Sequence, residues 1–179
     1  MAENRLDGKS VLLVVPQTQF REAEVFEPQR ILGKEGARIV VASTAARICR
    51  GMGEGVVEAE VAIEEANGED YDAIVLAGGS SDPAFFWKDK KLQELVSAMA
   101  EAGKVVAAIS LSTVVLAKAS LLEGRNATVY FHPEALEELK KGGATYVEDK
   151  VIVDQNIIMA EGPKESGAFA KAVATALAG

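Results

Sequence analysis

The chain has one cysteine, Cys49, and one histidine, His132, among its 179 residues. A single cysteine excludes an internal disulfide and fits a reducing, cytoplasmic setting. With one Cys and one His far apart in sequence, a zinc or other soft-metal site has too few ligands, so no metal and no cofactor is expected. Basic residues are also short: 19 Lys and Arg stand against 27 Asp and Glu, a net charge of -8. No basic cluster interrupts that balance. Nucleic acid and anionic membranes are therefore excluded as partners on electrostatic grounds. Long apolar runs are missing too. Val11 to Val15 is too short for a membrane span or a signal h-region, and the ten residues before it, MAENRLDGKS, are polar. No repeat, linker or low-complexity tract breaks the chain.

What is present suits one globular domain spanning residues 1–179, with residues 1–8 a loosely held N-terminus. Hydrophobic residues make 49% of the chain and charged residues 26%, enough of each for a full core and a charged surface. Four short runs, SVLLVVP (10–16), ARIVVAS (37–43), DAIVLAGG (72–79) and KVVAAIS (104–110), are rich in Val and Ile and do not alternate with polar residues. Such runs fit strands buried on both faces, hence a parallel sheet covered by helices. Helical spacing appears over 24–35, 89–102, 133–141 and about 164–178. Pro28 belongs in a first turn, which starts the first of these helices only a few residues before it. Residues 44–66 read as short strands in a hairpin whose register Gly51, Gly53 and Gly55 leave open. Residues 145–160 read as two strands with a turn at Asp154-Gln155-Asn156. The expected class is α/β: a single domain with a mostly parallel sheet between helices, flavodoxin-like.

In such a sheet, ligands collect beyond the carboxyl ends of the strands. Ser110 ends the fourth run, where a helix N-terminus favours a developing anion. It is a candidate nucleophile, or else an N-cap bonding the amide of residue 112 or 113. Gly78 and Gly79 end the third run. They bring backbone amides to a substrate oxygen, or simply make a tight turn. Glu24 is a candidate general acid or base, or a solvated first-turn carboxylate. His132, just before Pro133, is a candidate base or an exposed loop residue. Cys49 has Arg47 and Arg50 near it, which would lower its pKa; the alternative is a small hairpin residue. The aromatics of PAFFWKD, Phe85, Phe86 and Trp87, form either a contact surface or the underside of a short helix.

Taken together, these segments resemble the ThiJ/PfpI superfamily, with its class I glutamine amidotransferase-like fold. FREAEVFEP is similar to the family segment with an acidic residue four before a proline, here Glu24 and Pro28. YDAIVLAGG resembles its D-x-hydrophobic-x-Pro-Gly-Gly strand, with Ala77 for Pro. GKVVAAIS resembles its G-K-x-hydrophobic-A-A-I-C elbow. LLEGRNAT and GATYVEDKVIVDQNII resemble later segments, and the likeness spans about residues 9–178. The resemblance implies that Ser110 stands where the family has its reactive Cys, that Glu24 is the carboxyl group bonded to it, and that the amides of Gly79 and Leu111 form an oxyanion hole. His132 resembles a His found near the nucleophile in some members. Leu111 replaces the His that follows the nucleophile in PfpI-type members, and Glu161 replaces a later Arg.

The resemblance also implies a small carbonyl compound or a peptide as substrate, chemistry of the protease, glyoxalase or deglycase type, a stress role, and a homo-oligomer, dimer or larger. A non-catalytic member binding a small carbonyl ligand or a protein partner is the alternative. Serine changes the chemistry. A cysteine titrates near 8.5 and a helix N-terminus can bring it below neutrality, whereas a hydroxyl needs a base within hydrogen-bond reach. It also cannot follow the sulfur oxidation ladder.

Overall fold

Each of the four unbroken apolar runs becomes a strand, and the four lie side by side in the middle of one seven-stranded sheet. The computed structural model describes residues 4–179. In chain order its elements are β1 (Ser10–Val14), β2 (Thr18–Phe20), α1 (Glu22–Lys34), β3 (Arg38–Ser43), β4 (Ile48–Gly51), β5 (Val56–Glu58), β6 (Val61–Ala62), β7 (Ala73–Leu76), α2 (Lys90–Glu101), β8 (Val105–Ile109), α3 (Thr113–Lys118), β9 (Asn126–Ala127), α4 (Pro133–Lys141), β10 (Thr145–Tyr146), β11 (Val151–Asp154), β12 (Ile157–Ala160) and α5 (Ser166–Ala178).

The sheet order is β11-β12-β8-β7-β1-β3-β6, parallel throughout except for the β11–β12 hairpin at one edge. From β1 the chain winds outward through β3 and β6. It then returns to β7 and winds the other way through β8 and β12. The reversal falls between β1 and β7, and there the crossovers leave to opposite faces and open a crevice. Val14 pairs with Leu76, and Leu76 with Ala108, so the carboxyl ends of β1, β7 and β8 finish level with one another.

The period of two decides which face each strand residue serves. Leu12 and Val14 of β1 join the core beneath α2, α3 and α4, with Leu92, Val96, Val115 and Leu139. Val11, Leu13 and Val15 join the opposite core with Val25 and Leu32 of α1 and Phe169, Val173 and Leu177 of α5. Alanines 107 and 108 of β8 face the two cores in turn. This is a mostly parallel sheet flanked by helices, the flavodoxin-like α/β class expected from the runs.

Several local expectations shift. Helix α1 begins at Glu22, which places Pro28 in its second turn rather than its first. Pro28 has no N–H to return to the carbonyl of Glu24. The 44–66 hairpin is β4 and β5, and β2 joins it to make a small three-stranded sheet. Residues 145–160 hold three short strands rather than two, with the turn at Gln155 and Asn156. Of the N-terminal stretch 1–8, residues 1–3 lie outside the described residues. Beyond them Leu6 is fully buried, its amide donates to Glu35 O at 2.8 Å, and Arg5 pairs with Glu35 at 2.9 Å.

Candidate functional site

Ser110 follows β8 with a φ of +65°. A non-glycine residue in that left-handed region carries strain on the order of 1–3 kcal/mol, so its surroundings must hold it there. Ser112 does much of the holding. Its hydroxyl accepts from the Ile109 amide at 3.2 Å and lies 2.8 Å from Leu76 O and 2.7 Å from Ile109 O, to one of which its single proton goes. One buried hydroxyl thus ties the ends of β7 and β8 together. From the other side, Trp87 donates its indole N–H to the Leu111 carbonyl at 2.8 Å. The Ser110 side chain takes no part in this. It is fully buried, and its Oγ has no hydrogen-bond partner. Ser110 therefore does not act as the helix N-cap that the sequence also allowed.

Glu24 is the third residue of α1 and is fully buried, so it is not a solvated first-turn carboxylate. Its Oε1 accepts from the Gly78 amide at 2.8 Å, while Oε2 has no partner. Gly78 fits closely between the two candidate groups. A Cβ built there would lie 2.7 Å from Glu24 Oε1 and 3.0 Å from Ser110 Cβ, so only glycine fits. Burial pushes the Glu24 carboxyl up to about 7, although the Gly78 amide, the Arg21 charge and the Ser110 hydroxyl all pull it down. Ser110 Oγ stands beside this carboxyl without reaching hydrogen-bond geometry.

Gly79 sits opposite Phe20, held by Arg21 N donating to Gly78 O at 3.0 Å and Ser80 N donating to Gln19 O at 3.3 Å. A Cβ here would run into the Gln19 carbonyl. The Gly79 amide faces a group the sequence reading passed over, the Asp82 carboxyl. Asp82 is 1% exposed, and neither of its carboxyl oxygens has a hydrogen-bond partner. Burial first, and the Glu24 charge second, push its carboxyl well above the usual range; the Gly79 amide pulls it down. In sequence, Asp82-Pro83 looks like an ordinary turn former, which hid it. The signal that could have found it was its place three residues after the glycine pair.

The structure thus brings Ser110, Glu24, Gly78 and Gly79 together, with Leu111 buried beside them. His132 is half-buried ahead of Pro133, and its Nδ1 has no partner; no hydrogen bond joins it to Ser110 or Glu24. Cys49 is buried, and that burial raises its thiol pKa in spite of Ser43 and Arg47, which fits the small hairpin residue of the two readings. Phe86 and Trp87 are the buried residues of a 3-10 turn, Phe86–Lys88, and of the three aromatics only Phe85, at 57% exposure, remains as surface. Among the described residues, no three His, Cys, Asp or Glu side chains converge as a metal site requires, and no helix is long and apolar enough to cross a membrane. A cavity of about 530 Å³ lies next to the site, lined by Arg21, Tyr130, Lys150, Glu161, Gly162 and Lys164 among others, with the Arg21 guanidinium 4.7 Å above the Tyr130 ring. Arg21 is the link: it lines this cavity and its charge acts on Glu24.

Comparison with known proteins bears on the family and the fold. Residues 9–176 match the model of the DJ-1/PfpI family. An uncharacterized protein of Methanocaldococcus jannaschii is 42% identical over 98% of this chain and 85% of its own length. A deglycase of Pyrococcus abyssi is 31% identical over 85% of this chain and 90% of its own. The crystal structure of a ThiJ/PfpI domain protein from Brachyspira murdochii superposes with a TM-score of 0.89 at 30% identity, covering 95% of this chain and 98% of that one.

Proposed function

The chain belongs to the DJ-1/PfpI family, and from that premise we propose that it adds the Ser110 hydroxyl to a small carbonyl compound, with Glu24 as the base. The observation that carries this reading is the unpartnered Ser110 hydroxyl set against a buried Glu24 carboxyl across Gly78. A hydroxyl is a poor nucleophile until a base takes its proton. A carboxyl near 7 is divided between its two forms at neutral pH, which matches a general base to its task. In the step, a C–O bond forms between Oγ and the carbonyl carbon. The C=O π pair moves onto the oxygen, and the Oγ proton passes to Glu24. The amides of Gly79 and Leu111 hold the resulting oxyanion until it is protonated. His132, with a free Nδ1, is the second candidate base.

The family resemblance suggests small α-oxoaldehydes or peptides as substrates, and one relative is named a deglycase. Wild type, Ser110→Ala and Ser110→Cys are to be assayed with methylglyoxal and with a peptide. Wild-type turnover lost by at least tenfold in Ser110→Ala supports the reading. No wild-type turnover of either substrate overturns it.

The complete burial of Ser110 favours a second reading, a carbonyl-binding protein without turnover. Methylglyoxal that raises the melting temperature equally in wild type and Ser110→Ala, without being consumed, would decide for it. A cytoplasmic setting and a homo-oligomer, dimer or larger, belong to the same family reading. Ile48, Met52 and Val56, about half exposed on the β4–β5 hairpin, support self-association, which a sedimentation coefficient above the monomer's at micromolar concentration would bear out.

A further inference from the structure

Asp82 has backbone bonds but no side-chain ones. Its amide donates to Gly79 O at 3.1 Å, and its carbonyl accepts from Phe85 N at 3.2 Å and Trp87 N at 3.0 Å. An aspartate before a proline normally uses its carboxyl to bond the amides two or three residues on. Here the Ala84 and Phe85 amides go to the Ser81 and Asp82 carbonyls instead. The carboxyl is left free of the turn, with no protein donor bonded to it. Burial without a partner disfavours the charged form of a carboxyl and raises its affinity for a proton. For holding the loop alone, an apolar or amide side chain would serve better.

The position supplies the reason for keeping it. Glu24 accepts from the Gly78 amide, and the Asp82 amide donates to Gly79 O, so two buried acids are tied to one two-residue turn. Three of their four carboxyl oxygens have no partner. Facing the pair are the Arg21 charge and the Ser110 hydroxyl on the Glu24 side and the Gly79 amide on the Asp82 side. The same amide is the one assigned above to the oxyanion.

We propose that Asp82 completes the site as its acid: it shares a proton with Glu24 and donates to the carbonyl oxygen while Glu24 accepts from Ser110. This rests on the carbonyl-addition reading. The protons balance. Oγ gives one to the Glu24 carboxylate, and the Asp82 carboxylic acid gives one to the new oxyanion, leaving a hemiacetal. Transfer from Glu24 to Asp82 then restores the pair. Two carboxyls whose surroundings push their proton affinities apart divide the roles of base and acid between them.

The test is a ¹³C-carboxyl NMR titration of wild type, Glu24→Gln and Asp82→Asn between pH 4 and 10, each variant first checked for a native melting transition. In the wild type, both carbons are expected to respond to the same two steps, as coupled sites do. In Glu24→Gln, Asp82 loses its charged neighbour, and its midpoint falls by one pH unit or more. An Asp82 midpoint that stays put in Glu24→Gln overturns the proposal. If that variant does not fold, wild-type carbons that each move in one independent step overturn it equally. The donor role is read from turnover. The alkaline limb of the kcat/KM profile for methylglyoxal disappears in Asp82→Asn, with at least a tenfold loss on the plateau; an unchanged limb sinks that role. Coupled titration without any turnover sinks the carbonyl-addition reading and the donor role with it, and leaves the shared proton standing.

Discussion

Ser110 combines two unfavourable features in one residue, a left-handed backbone and a buried hydroxyl without a partner. Neither helps the fold. Removing a buried, unsatisfied polar group relieves a desolvation penalty of about 1–3 kcal/mol and loses little packing. Ser110→Ala is therefore expected to unfold at a higher urea concentration than wild type, a gain on the order of 1 kcal/mol with an unchanged m-value. A lower midpoint would mean that the hydroxyl is bonded in solution. At this scale the sequence was partly informative. Ser110, Glu24, Gly78 and Gly79 could be picked out because each ends or follows an apolar run, and their meeting follows once the strands are parallel. The burial of Glu24 could not, since a carboxylate in a first turn is usually satisfied by water and the helix dipole. Asp82 was hidden because its neighbour Pro83 supplies a sufficient local reason for an aspartate.

Elements owe their positions here to a few polar ties. Ser112 joins the end of β7 to the end of β8 with one hydroxyl. Ser112→Ala leaves buried backbone groups of Leu76 and Ile109 short of a partner, so a loss of about 1–3 kcal/mol in urea unfolding is expected. Ser112→Thr, if its methyl fits, restores part of it. A second tie explains the glycines that left the β4–β5 register open. Glu22 Oε2 accepts from Gly53 N at 2.8 Å and Gly55 N at 3.0 Å, and a Cβ at Gly51, Gly53 or Gly55 would lie within 2.5–2.9 Å of that carboxylate or its side chain. Partial burial works against the charge there, but the Gly55 and Gly53 amides outweigh it and hold the Glu22 carboxyl below its usual range. The apolar runs showed where the central strands would fall, because burial on both faces leaves an unbroken pattern. Two-residue strands such as β6 and β9 have too few side chains to carry any pattern, so their existence depends on neighbours far away in sequence.

For the whole molecule, the buried acids set how stability responds to pH. The Glu24 carboxyl rises from 4.5 to about 7 on folding, and Asp82 shifts in the same direction. A raised carboxyl binds its proton more tightly in the folded chain. Its contribution is complete below the unfolded value and is lost as pH climbs to the folded one. For Glu24 the rise corresponds to about 3 kcal/mol lost between roughly pH 4.5 and 7. Glu24→Gln removes that dependence. Measured by urea unfolding at pH 5 and pH 8, its stability relative to wild type should improve by up to about 3 kcal/mol at the higher pH. A constant difference between the two would show that Glu24 ionises in the fold as it does in the unfolded chain. The architecture that buries these groups was the most legible level of all, since unbroken apolar runs without alternation imply a parallel sheet between helices, whereas the strand order that opens the crevice between β1 and β7 is set by pairings far apart in sequence.

Trp87 gives this molecule its own light source at the elbow. It is the chain's one tryptophan, and its indole N–H is bonded to the carbonyl of the residue right after Ser110. Excited indoles respond to the polarity and hydrogen bonding around that nitrogen, so a group bound at Ser110, one residue before that carbonyl, should register as a change in emission colour or brightness, in unlabelled protein and in real time.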